Sequence, residues 1–136
     1  MNISILGGKD EVGGNKILLE EKKTKIFLDF GMSFKTFGRY FSEFLTPRKC
    51  AALGDFFELG LLPKIDGFYR EDYEKHMDIK SKETSIHGVF LSHAHADHAQ
   101  YIHFLRPDIP IYCTEATKII LDVLEKTGSG SFTDFT

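Results

Sequence analysis

Residues 92–98 read SHAHADH, which brings three imidazoles and a carboxylate into one short stretch: His93, His95, Asp97 and His98. Imidazole nitrogens and carboxylate oxygens suit zinc or another borderline divalent ion, with manganese the alternative where oxygen donors dominate. In an extended segment, side chains two apart project to the same side, so His93 and His95 can converge on one ion. A chain that then turns into a helix redirects Asp97 and His98 toward a neighbouring point, where a second ion could sit. Ala94 and Ala96 keep that turn compact. The competing reading is a solvated loop that happens to be rich in histidine. His103, five residues past His98, lies roughly 140° round an ideal helix from it and is not expected to share its ion. His76 and His87 read as structural or solvent-facing.

The elements that must position this run are legible from periodicity. Asn2–Leu6 alternates around Ile3 and Ile5, Lys16–Glu20 is a short apolar run, and Lys25–Phe30 reads KIFLDF. Together they predict a three-stranded antiparallel start, with charged residues between the second and third strands suiting a hairpin turn. GGKDEVGG fits neither a GxGxxG nor a Walker phosphate loop, and a strand follows it, so its glycines read as turn residues. Phe34, Phe37, Phe41 and Phe44 fall at spacings of three, four and three, which predicts four rings on one side of a helix packed on the core. Thr46 and Pro47 predict the start of a second helix running toward Leu59, and a charged third helix is expected over Arg70–Ile79.

From His87 the pattern is strand (His87–Ser92), helix (Asp97–Leu105), strand (Ile109–Cys113), helix (Glu115–Lys126). Thr114 caps the last helix, Gly128 stops it, and Ile119, Ile120, Val123 and Leu124 form its apolar side. Strand–helix–strand–helix predicts a partly parallel βαβ unit, and hence an α/β (α+β) fold with a mixed sheet and helices. The metal-ligand run sits where that unit's first strand passes into its helix.

Composition narrows the function classes. The 136 residues carry a net charge of −3, which gives no support to a broad electrostatic nucleic-acid surface; bound metal ions would supply positive charge that this count omits. No apolar run approaches the roughly 20 residues needed to span a bilayer, and MNISILGG lacks a signal peptide's basic start, so a cytoplasmic protein without a membrane partner is expected. Cys50 and Cys113 belong to no CxxC pair and read as free thiols. With 13 phenylalanines and no tryptophan, the core should be Phe-rich.

The SHAHADH run resembles the HxHxDH signature of the metallo-β-lactamase superfamily. ISILGGKDEVGGNKILLEEKKTKIFLDFG is similar to the opening of ribonuclease J and its β-CASP relatives, and HGVFLSHAHADHAQYIHFLRPDIPIYCTEATKIILDVLE to their second block. The resemblance implies an αββα sandwich of which residues 1–136 form about the N-terminal half, with a helical family-specific insertion at about 32–85. It further implies that His93 and His95 hold a first divalent ion and Asp97 and His98 a second. Asp97 would also orient or deprotonate the attacking water, and Asp29, which ends KIFLDF, would steady a metal-binding histidine. The alternative for Asp29 is a simple strand-end turn residue.

The family completes its site with downstream ligands, and no histidine follows Thr114. The resemblance therefore implies a fragment of a longer enzyme. The expected activity of the parent is hydrolysis of RNA phosphodiesters with two divalent ions activating water. Ligand histidines must be neutral, so metal binding should weaken below about pH 6.5. Two other readings remain: a metallo-hydrolase of a small ester, thioester or lactam, and a non-catalytic metal-binding or dimerising module. A half sandwich exposes apolar sheet surface, so the chain should form homo-oligomers or be completed by the rest of its parent.

Overall fold

A computed structural model describes residues 1–42, 44–48, 51–77 and 82–128. Its centre is a five-stranded mixed sheet in the order β1-β2-β3-β4-β5. Strands β1 (Asn2–Gly7), β2 (Lys16–Glu21) and β3 (Thr24–Leu28) form the expected antiparallel meander. Strand β4 (Gly88–Phe90) joins β3 in parallel, and β5 (Ile111–Tyr112) joins β4 in parallel. The sheet thus changes from antiparallel to parallel at β3, beside the loop that carries the histidines.

Five α-helices accompany the sheet among the described residues: α1 (Phe34–Tyr40), α2 (Ala52–Glu58), α3 (Glu71–Glu74), α4 (Ala96–Ala99) and α5 (Glu115–Thr127). Single 3₁₀ segments continue α3 through Met77 and α4 through Phe104. Helix α1 is capped by Ser33, whose Oγ accepts the Thr36 amide at 3.1 Å. It is shorter than the four-phenylalanine stripe predicts. Phe41 has already left helical backbone, and Gly38 weakens so short a helix from within. Phe37 and Phe41 still pack on one another and on Phe56, whereas Phe44 is 88% exposed.

Helix α2 starts five residues later than Thr46-Pro47 predicts. Pro47 is buried in irregular chain instead, and Ala51 occupies the cap position without a side-chain hydrogen bond. The predicted third helix is one α-turn and one 3₁₀-turn long where it is described; Ile79 and Cys50 lie outside the described residues. Thr114 caps α5 as expected, accepting the Thr117 amide at 3.2 Å.

The core is aromatic. Phe27, Phe30, Phe56, Phe68, Tyr69, Tyr101 and Phe104 are fully or almost fully buried. They join in edge-on and tilted contacts, such as Phe27–Phe30 at 5.3 Å and Phe56–Phe104 at 5.1 Å. Among the described residues, this core covers only one face of the sheet. Leu18, Phe27 and Val89 are on that face, in register across β2, β3 and β4. The alternate residues are also apolar: Ile3 and Ile5 on β1, Ile17 and Leu19 on β2, Leu28 on β3, Phe90 and Tyr112 beyond. They lie on the open face, where Ile3 and Ile5 are 59% exposed and Phe90 stacks on Tyr112 at 4.6 Å. Helix α5 behaves in the same way. Thr117 and Leu121 turn toward the protein, while Ile119, Ile120, Val123 and Leu124 face solvent.

Candidate metal centre

The site is built where β3 and β4 end side by side. Asp29 follows β3 in a left-handed conformation (φ 57°), and its amide donates to Phe90 O at 2.9 Å. That conformation turns the carboxylate across to the loop after β4, where it is almost wholly buried. Asp29 Oδ1 accepts the Ser92 amide at 2.7 Å; Oδ2 accepts the Ser92 hydroxyl at 2.9 Å and the His98 ring at Nδ1, 2.7 Å away.

This arrangement sets two tautomers. A carboxylate can only accept, so His98 carries its proton on Nδ1 and presents an Nε2 lone pair. The Ser92 hydroxyl gives its proton to Asp29 and therefore accepts from His93 Nδ1 at 2.9 Å, which leaves the His93 Nε2 lone pair available as well. One buried aspartate thereby leaves two imidazoles each with an Nε2 lone pair that could hold a metal.

His93, Asp97 and His98 each offer a ligand atom within 4.8 Å of the other two, and all three are half-buried. The His93 and His98 rings lie 4.0 Å apart, and His98 Nε2 is 3.4 Å from an Asp97 oxygen. His95 is more exposed and meets His93 edge-on at 4.6 Å, outside the trio. The spacing argument pairs His93 with His95 and Asp97 with His98; the trio keeps Asp97 with His98 and adds His93, whose ring also meets that of His95. The local cause is that β4 ends at Phe90 and the chain bends at Ser92 and Ala94, which brings His93 to the same side as Asp97 and His98. His95 takes the N-cap position of α4, where its carbonyl accepts the amides of His98 and Ala99, both at 2.9 Å.

A second layer comes from the β1–β2 loop, which the spacing arguments read only as turns. Asn15 donates its backbone amide to Asp97 O (3.2 Å) and accepts the Gly31 amide (3.0 Å). Its side-chain amide lies 3.3 and 3.2 Å from the two His98 ring nitrogens. Gly31 and Gly13 make this approach possible. A Cβ on Gly31 would fall 1.7 Å from Asp97 O, and one on Gly13, which has φ +83°, would fall 2.6 Å from the Asp97 Cβ. The available signal was the asparagine immediately after Gly13-Gly14.

Beneath the loop, Lys16 is buried with its Nζ 3.3 Å from Gly14 O and over the rings of Tyr101 (5.1 Å) and Phe30 (5.8 Å). Burial pulls its ammonium down to about 8, against a smaller opposing pull from Glu11. Two other histidines lie away from the trio. His103 is buried and its Nδ1 is 2.7 Å from Gln100 O, while His87 Nδ1 accepts the Lys25 amide at 3.2 Å. Cys113 is an exposed free thiol.

The chain is similar to ribonuclease J. It is 29% identical over 116 residues to the ribonuclease J of Helicobacter pylori strains ATCC 700392 / 26695, B128 and J99 / ATCC 700824. That match takes in 84% of this chain and 13% of the relative's length, so the chain spans a small part of the curated proteins it matches. A solved structure described as a protein of unknown function from Enterococcus faecalis V583 superposes with a TM-score of 0.72 at 27% identity. It covers 98% of this chain and 31% of its own. No family model matches the chain. Among the described residues, no helix is long and apolar enough to cross a membrane.

Proposed function

We propose that this chain is the ligand-bearing part of a longer metal-dependent hydrolase acting on RNA phosphodiesters, as the name of its ribonuclease J relatives suggests. The observation that carries the proposal is the His93–Asp97–His98 trio, backed by a buried aspartate that orients both imidazoles. The donor set, two neutral imidazoles and one carboxylate, fits zinc and tolerates manganese. His93, Asp97 and His98 would hold an ion, and His95, against the His93 ring, would contribute to a first or second ion as the domain is completed. Divalent ions bound here would activate water and neutralise charge developing on phosphate oxygens.

The chain's own residues have distinct tasks in this proposal. Asp29 and Ser92 hold the ring protons of His98 and His93 away from the ligand side. Asp97 orients the attacking water and takes its proton. Asn15, bonded to Asp97 through the backbone and lying against His98, keeps those two residues together. The remaining ligands would come from the longer parent, and a cytoplasmic location is the setting this reading expects.

The test is cleavage of single-stranded RNA by the full-length parent with manganese or zinc, beside His98→Ala and Asp97→Asn. The expected result is cleavage lost by at least about a hundredfold in both variants, the scale expected when a general base or metal ligand is removed. Activity confined to ester, thioester or lactam substrates, or variants that cut RNA as well as the parent, would overturn it.

A further inference from the structure

Away from the histidines, a cavity of about 510 Å³ opens between α2, α3 and the chain that joins them. Apolar and aromatic side chains line much of it, among them Phe57, Ile65, Tyr69 and Met77. Three carboxylates on its border already have cations. Asp55 accepts two hydrogen bonds from Arg48, Glu58 pairs with Lys64 at 2.8 Å, and Asp66 pairs with Lys82. The fourth, Glu74, is different. It is only 4% exposed, it lines the same cavity, and its Oε2 has no hydrogen-bond partner among the described residues. A buried carboxylate oxygen without a partner is costly and rarely kept without a reason.

We propose that this cavity binds an organic monocation, an alkylammonium or alkylguanidinium whose charged head meets Glu74 and whose stem lies on the apolar wall. The alternatives fit less well. Calcium or magnesium needs several free oxygen ligands, and three of the four carboxylates are engaged. An anion would meet an excess of negative charge, since the lining holds four acids against Arg48 and Lys64. A neutral apolar ligand would leave Glu74 as it stands. A cationic head would compensate the charge of the Glu74 carboxylate, which has no side-chain hydrogen bond among the described residues to do so. Phe57 and Tyr69, in edge-on contact at 5.1 Å, add aromatic surface of the kind that favours cations. Burial raises the Glu74 carboxyl above its usual range, with Arg106 opposing and Glu71 and Asp66 adding to the shift, and an arriving cation would act in the same sense as Arg106.

The experiment is an NMR titration of the 136-residue chain with n-butylammonium and n-butylguanidinium, with n-butanol as the neutral isostere. Saturable shifts at Gly54, Ile65, Tyr69 and Met77 are expected for the cations, with affinity at least about tenfold above the alcohol's. Glu74→Gln should lose that preference while unfolding cooperatively at a temperature no lower than the unmodified chain's. Glu115→Gln, the same charge change on α5, should retain it. Failure of either cation to saturate, equal binding of n-butanol, or cation binding unchanged in Glu74→Gln would each overturn the proposal. The cation-versus-alcohol comparison decides the matter even if Glu74→Gln does not fold.

Discussion

Lys16 shows at the residue scale what the loop beneath the candidate centre costs. Its ammonium has one long hydrogen bond and two ring faces in place of water, and its pKa falls from 10.5 to about 8. Below pH 8 both folded and unfolded chains hold the proton, so the folded state bears the full burden of burying a charge. Between about 8 and 10.5 the folded chain has released the proton and the unfolded chain has not. Stability must therefore rise with pH across that window, by a total of about 3 kcal/mol. Lys16→Met should remove that slope and raise stability at pH 7 by about 1–3 kcal/mol. Urea unfolding of both proteins at pH 7 and pH 10 checks it; an unchanged slope in the variant would show that Lys16 is not its source. Asp29 is the opposite case, a buried charge with three donors and no orphan oxygen.

At the scale of elements, the histidine loop is held by three backbone hydrogen bonds from two segments. Phe30 donates to His98 O at 2.8 Å, Met32 to Ala96 O at 2.9 Å, and Asn15 to Asp97 O. A helix of four residues has little stability of its own, so these bonds, rather than intrinsic propensity, keep α4 in place. Close backbone approach is the condition for all three, and Gly31 is where it is tightest. Gly31→Ala should destabilise the chain by about 3 kcal/mol or more, because the clash is with backbone that cannot rotate away. Thermal unfolding measures the loss, and a variant as stable as the parent would mean that the two segments are not so closely packed. The same elements show where local signals were insufficient. Thr114 was readable as a cap because the Thr117 amide it accepts is three residues away. Thr46-Pro47 carries an equally good local signature, yet Pro47 is buried outside any helix.

For the whole molecule, the decisive feature is a sheet with one face covered. The open face is apolar from β1 to β5, and the outward side of α5 adds four more aliphatic residues. Exposed apolar surface of this kind favours association. The 136-residue chain on its own should self-associate with rising concentration, and Ile5→Lys combined with Phe90→Lys should shift it toward monomer. Light scattering reads this directly; a clean monomer at high concentration in the unmodified chain would contradict it. Within a longer parent, the same face would be covered by the remainder of the domain.

Strand alternation, the Thr114 cap, the aromatic character of the core and the presence of a histidine-rich run after a strand could all be read from the chain alone. Each depends on residues a few positions apart, and at that range periodicity and capping chemistry dominate. How closely the side chains of that run converge could not be read so. That depended on bends at Ser92 and Ala94, on Asp29 reaching a histidine 69 positions away, and on Asn15 reaching the same ring across 83. Burial was decided at the same level. Glu74 and Lys16 are ordinary surface residue types, and the outer side of α5 reads as core; only the packing of distant segments determined which of them met water.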